Sequence, residues 1–254
     1  MALGACAATA GMTEILETPA APSKESGGIH RLNQSFAVTF RAGGWILSTP
    51  FVFGVMLFGM LFDSTIRMVI TLSSQYYRMI LLPESLFGII GAGTALLGFI
   101  IPKLARKLAQ TRPPGATLCL TFTLAFTGLF LMNLFWPWAG MIPVLMAFAA
   151  MYFNGFFTSF YINRETPSKQ RATVLSFKGL SCNLSYGLLG IGYALVLKSQ
   201  KLTAAKDHPL TGQALDNLVF KDTFWVFPAF LITGLGLCLL VFALMTKLRH
   251  RHSH

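Results

Sequence analysis

Asp63 and Arg67 stand four residues apart, so on a helix they share one face and can pair. Thr71, Ser74 and Arg78 continue the same stripe at about one helical turn each. A polar stripe that follows an apolar stretch can line a water-filled cavity, and ionisable groups inside a membrane mark solute or ion pathways. The competing reading is that the bilayer ends near Phe62, leaving Asp63 and Arg67 at the headgroup level with Arg67 snorkelling outward.

Two further sets offer neutral polar groups. Asn154, Thr158 and Tyr161 follow i, i+4, i+7 spacing and place an amide, a hydroxyl and a phenol along one side of a helix. Ser181, Asn183, Ser185 and Tyr186 form the second set. Each can hydrogen-bond a solute, or join neighbouring helices, which is the commoner use of such groups in membranes. Asn133 reads as an interfacial residue.

Nothing in the chain points to an enzyme active site. No Ser/His/Asp set, HExxH, Walker loop or GxSxG occurs, and no His lies between His30 and His208. His250, His252 and His254 alternate in a basic terminal stretch that reads as a solvated anchor, with no metal site implied. Cys6, Cys119, Cys182 and Cys238 are isolated, without metal or redox spacing, and no cofactor is expected.

The elements that must position these residues are six apolar stretches: Trp45–Phe62, Ser85–Ile101, Ala116–Phe135, Ala139–Ile162, Gly179–Leu197 and Phe224–Thr246. None contains Asp, Glu, Lys or Arg. A helix needs about 20 apolar residues to cross the hydrocarbon core. The chain of 254 residues is 54% hydrophobic and 11% charged, with a mean hydropathy of +0.61, against roughly 25% charged in soluble domains. A soluble globule of this length has no room for six wholly apolar helices. The expected architecture is all-α and polytopic, with six transmembrane helices at 45–246, between a partly disordered N-terminal linker at 1–44 and a basic tail at 247–254.

A formal charge of +11 raises nucleic acid as a partner, but the placement of the charges argues against it. Most Lys and Arg fall in the N-terminal segment, the Lys103–Arg112 and Asn163–Lys178 linkers, and the tail. The alternate connections hold Arg67, Arg78, Lys198, Lys201, Lys206 and Lys221. The positive-inside rule places both termini in the cytoplasm, and the bilayer is the expected partner. Met1–Gly11 lacks the basic region of a signal peptide. Residues 18–30 read as a flexible linker, and Leu32–Arg41 as a short amphipathic helix at the cytoplasmic face.

Finer features follow from the spans. Gly88/Ala92 and Gly91/Ala95 are small-xxx-small pairs that predict close helix contact, and Gly187, Gly190, Gly192 and Ala194 repeat the pattern. Trp136–Gly140 predicts a tight turn between antiparallel third and fourth spans. Lys198–Asp222 is the longest connection and is expected outside. Spans one to three and four to six each end in a basic segment, which suggests two inverted three-helix repeats.

Two linkers resemble a known family. Gly98, Pro102, Lys103, Arg106 and Lys107, after the second span, are similar to the loop motif of the major facilitator superfamily: a Gly, an apolar stretch, an acidic residue and a basic cluster. The acidic position is absent here, as in the weaker C-terminal copy of that motif. Arg164, Pro167 and Arg171, between the fourth and fifth spans, resemble the linker between the tenth and eleventh helices, with Pro167 ending one helix and Thr173 or Ser176 capping the next. Asp63-Ser64 with Arg67, Gln75-Tyr76-Tyr77-Arg78 and Pro83-Glu84 resemble the outer part of a seventh helix in bacterial members.

The resemblance implies the C-terminal six-helix half of a bacterial major facilitator transporter, in the cell (inner) membrane. Its function would be transport of a small solute, incomplete without an N-terminal half supplied by another chain or by self-association. The alternative is a truncated, transport-inactive membrane fragment. The substrate-pathway candidates are Asp63, Arg67, Thr71, Asn154, Thr158, Tyr161, Asn183 and Tyr186.

Overall fold

The computed structural model describes residues 43–207 and 211–252. The expected linker at 18–30 and the helix Leu32–Arg41 lie outside them, as do the side chains of the terminal histidines. A short helical segment, 43–48, leads into α1 (Pro50–Thr71), α2 (Ser73–Met79), α3 (Phe87–Thr111), α4 (Pro114–Met132), α5 (Met141–Glu165), α6 (Arg171–Asp207), α7 (Gly212–Thr223) and α8 (Val226–His252). No strand occurs among the described residues. Six helices are long and apolar enough to cross a membrane, the pattern of a multi-pass membrane protein.

Their ends differ from the apolar stretches in physically readable ways. Pro50 occupies the first turn of α1, where its missing N–H costs nothing, so the span starts there and not at Trp45. It runs on past Phe62 to Thr71, because Asp63 and Arg67 pair along the helix and interrupt nothing. The second span likewise continues to Thr111. Pro102 sits inside α3, and Ile101, Ala105 and Ala109 form its buried edge while Lys103, Arg106 and Lys107 face out. Gly98 to Lys107 is therefore the amphipathic end of a helix, and the actual link to α4 is Arg112-Pro113.

Between α5 and α6 the expected break is present. Thr166 and Pro167 are extended, and Ser168–Gln170 forms one 3-10 turn. Arg164 lies in the last turn of α5 and Arg171 opens α6, so Thr173 and Ser176 sit inside the helix and cap nothing. The connection Lys198–Asp222 is mostly helical: the end of α6 and α7 form a hairpin, joined by Lys201 and Asp216 at 2.5 Å.

α1 and α5 are the centre of the bundle. α1 packs on α5, α6 and α8, while α5 packs on α1, α3 and α4. The α4–α5 hairpin is antiparallel, since the Gly128 site abuts Pro143 and Ala147 while Thr117 shares a hydrogen bond with Tyr161. Its turn is tied to the α2 end by Trp138 N–H donating to Ile80 O at 3.0 Å. An aromatic cluster of Tyr76, Phe135, Phe220, Phe224 and Phe227 fills the same end. Phe153, Phe157 and Tyr161 fill the other.

The small-residue faces do not do what their spacing predicts. Gly88, Gly91 and Gly93 on α3, and Gly187, Gly190 and Gly192 on α6, have no atom of another helix where a Cβ would point. Those faces are open among the described residues.

Candidate functional site

α1 and α6 run parallel, because contacts between them rise together in both numbers. Arg67 Nη1 donates to Asn183 Oδ1 at 2.6 Å, and one turn further Thr71 and Tyr186 share a hydroxyl–hydroxyl hydrogen bond of 3.1 Å. Arg67 Nη2 pairs with Asp63 Oδ2 at 2.5 Å, and its guanidinium lies over the Tyr186 ring at 5.4 Å from the centroid. Five candidate residues from two separate stretches thus form one cluster. At ~1.5 Å rise per residue, Asp63 stands about 20 Å along a helix about 33 Å long. The pair is not sealed: the Arg67 and Asp63 side chains are 37% and 23% exposed. A charge pair open to hydrocarbon is unfavourable, so within a bilayer this side would suit water or protein and not lipid tails.

Lys178 lies inside a helix, where it was not expected. The linker reading ended at Lys178, but α6 begins at Arg171, which puts this residue two turns into the helix. Its Nζ donates to Ser159 Oγ on α5 at 2.7 Å.

The third candidate set does different work. Asn154 Nδ2 donates to the Gly59 carbonyl at 3.2 Å, and Thr158 Oγ1 returns to Asn154 O at 2.6 Å. The Thr158 methyl fills the space a Cβ on Gly59 would need. Tyr161 is fully buried, shares a 2.7 Å hydrogen bond with Thr117, and has Arg164 over its ring. These residues join helices; they do not reach the Asp63–Arg67 cluster. Arg78 also leaves the stripe, pairing with Glu84 at 2.7 Å beyond the end of α2.

A cavity of about 500 Å³ lies between the 43–48 segment, the first half of α1 and α6, lined by Ile46, Phe53, Met56, Met60, Phe177 and Ser181 among others. Met56, Met60, Asp63 and Arg67 lie at i, i+4, i+7, i+11, so the apolar groove and the charged cluster share one face of α1. No group of metal-ligating side chains occurs among the described residues. No family model, curated protein or solved structure matches the chain.

Proposed function

We propose that the chain is one six-helix half of a secondary transporter of the major facilitator type, with the α1–α6 seam on the solute pathway. It sits in the cell (inner) membrane with both termini cytoplasmic, and moves a small solute together with a second six-helix half or a second copy of itself. The observation that carries this reading is the ion pair Asp63–Arg67, held by Asn183 and open on one side.

Two features of packing support it. Exchanging spans one to three with spans four to six turns the α1–α6 contact into α5–α3, and α1–α8 into α5–α4, all of which occur. That is the pattern two repeated three-helix units would give. The open glycine faces of α3 and α6 suit close approach by another helical bundle.

The test is reconstitution. The assembly mass in mild detergent and charge movement in proteoliposomes, read on a solid-supported membrane against panels of organic anions, sugars and amino acids, should give an oligomer and a solute-dependent current. A strict monomer without current for any solute would identify an inactive fragment.

A further inference from the structure

We infer that the groove between α1, α4 and α8 holds an anionic phospholipid, an acyl chain lying along the groove and the phosphate beside Arg164. The inference rests on the helices crossing a membrane, and not on transport.

One end of the bundle is strongly basic. The starts of α1 and α4 meet the ends of α5 and α8 there: Phe51 lies edge-on to Tyr161 at 6.3 Å, Thr117 hydrogen-bonds Tyr161, and Phe242 fills the space of a Cβ on Gly54. α3 ends there too, since Arg112-Pro113 leads straight into α4. Lys103, Arg106, Lys107, Arg112, Arg164 and Arg171 are exposed at this end, with Glu165 the one carboxylate among the described residues there. The rest of the chain cannot cancel the excess. Residues 1–42 carry Glu14, Glu17 and Glu25 against Lys24, Arg31 and Arg41, and the tail adds Arg249 and Arg251. Basic clusters at a membrane surface attract anionic headgroups over zwitterionic ones.

A groove of about 270 Å³ runs along the bundle from that end. Phe51, Val55 and Phe58 line it from α1, Leu118 from α4, and Leu235 and Phe242 from α8. No lining side chain carries a charge, a hydroxyl or an amide, so a polar solute would find nothing to orient it. All three helices belong to membrane-crossing segments, and Leu239 on the groove's rim is 59% exposed, so the groove opens outward to acyl chains.

Arg164 joins the basic end to the groove. Its guanidinium lies 6.0 Å from the ring centroid of Phe51, a lining residue, and 5.4 Å from that of Tyr161. The two rings hold it in place. Its ion pair is with the adjacent Glu165 at 3.1 Å, and both side chains are more than one-third exposed, so a phosphate competes with a weak contact. The planar guanidinium fork matches phosphate oxygens. Arg112 stands two residues before Pro114, another lining residue.

The test uses the full chain in phosphatidylcholine nanodiscs that carry a trace of phosphatidylglycerol with a diazirine in its acyl chain. After irradiation, label should concentrate on peptides holding residues 51–58, 114–118 and 235–242. Unlabelled phosphatidylglycerol should displace it about tenfold better than phosphatidylethanolamine, and Arg164→Gln and Arg112→Gln should each cut that preference about fivefold, the scale of one base near a membrane surface. Gly115 lines the groove with nothing within 4 Å of where a Cβ would point, so Gly115→Leu fills the groove without a backbone clash and should remove the label. Equal displacement by the two lipids would make this ordinary lipid-facing surface and overturn the proposal. So would label that Gly115→Leu leaves in place, or a preference that survives in both arginine variants.

Discussion

Arg67 on α1 donates to the Asn183 side-chain carbonyl on α6 at 2.6 Å, joining residues 116 positions apart. The same guanidinium holds Asp63 one turn below it, so one side chain ties a helix pair together and fixes a carboxylate. The pair is partly exposed, which places its worth between that of a surface ion pair and a sealed one.

Its coupling should be measurable. Arg67→Gln leaves the Asp63 carboxylate without its main partner, and Asp63→Asn leaves the Arg67 guanidinium without its counter-charge. Each should lower the unfolding midpoint in detergent, and the double variant should lose less than the sum. A coupling of about 1–3 kcal/mol is expected. Additive losses would mean that the two side chains do not act as a pair.

Gly59 sets how closely α1 approaches α5. A Cβ there would lie 2.8 Å from the Thr158 methyl, and Thr158 is fully buried on a helix that Asn154 also ties to Gly59. Gly59→Ala should destabilise by about 1–3 kcal/mol through overpacking. Adding Thr158→Ser, which deletes that methyl and keeps the hydroxyl, should restore most of the loss. Thermal unfolding of the single and double variants checks it; no rescue would show that another contact limits the seam.

Much of the scaffold was legible because hydrophobicity and length alone identify helices that can cross a bilayer. Asp63, Arg67 and Thr71 were legible as a stripe because helical periodicity is local. Their union with Asn183 and Tyr186 was not, since no local signal says which helix meets which. Lys178 was missed for a related reason: a charge next to a basic linker reads as part of it, and only the true start of α6 at Arg171 draws it inside. The spacing of Asn154, Thr158 and Tyr161 is plain in the sequence, but whether such groups meet a solute or a neighbouring helix depends on packing that spacing does not encode.

Alkaline stability should reveal the buried tyrosines of α2. Burial pushes the Tyr76 hydroxyl far above its ordinary value, with the neighbouring Tyr77 adding to the effect; burial also raises Tyr77, offset in part by a hydrogen bond involving Ser73. Raised folded values favour the neutral phenols, so their contribution is complete below about pH 10 and is lost as pH rises beyond it, where the unfolded chain ionises first. Unfolding midpoints should fall above about pH 10 in the unmodified chain, and less steeply in Tyr76→Phe/Tyr77→Phe. Identical slopes would place the alkaline transition elsewhere.

The most direct test of the account compares two neighbouring positions on α6. Asn183 faces Arg67 on the seam, whereas Leu184 is 62% exposed and points about 100° away. In a background with all native cysteines replaced by serine, Asn183→Cys and Leu184→Cys can be labelled in intact membranes with a charged, membrane-impermeant thiosulfonate. A water-lined seam predicts rapid labelling at position 183 and almost none at 184. Labelling at 184 with an inert 183 would put lipid or packed protein on the Asp63–Arg67 side and contradict the account.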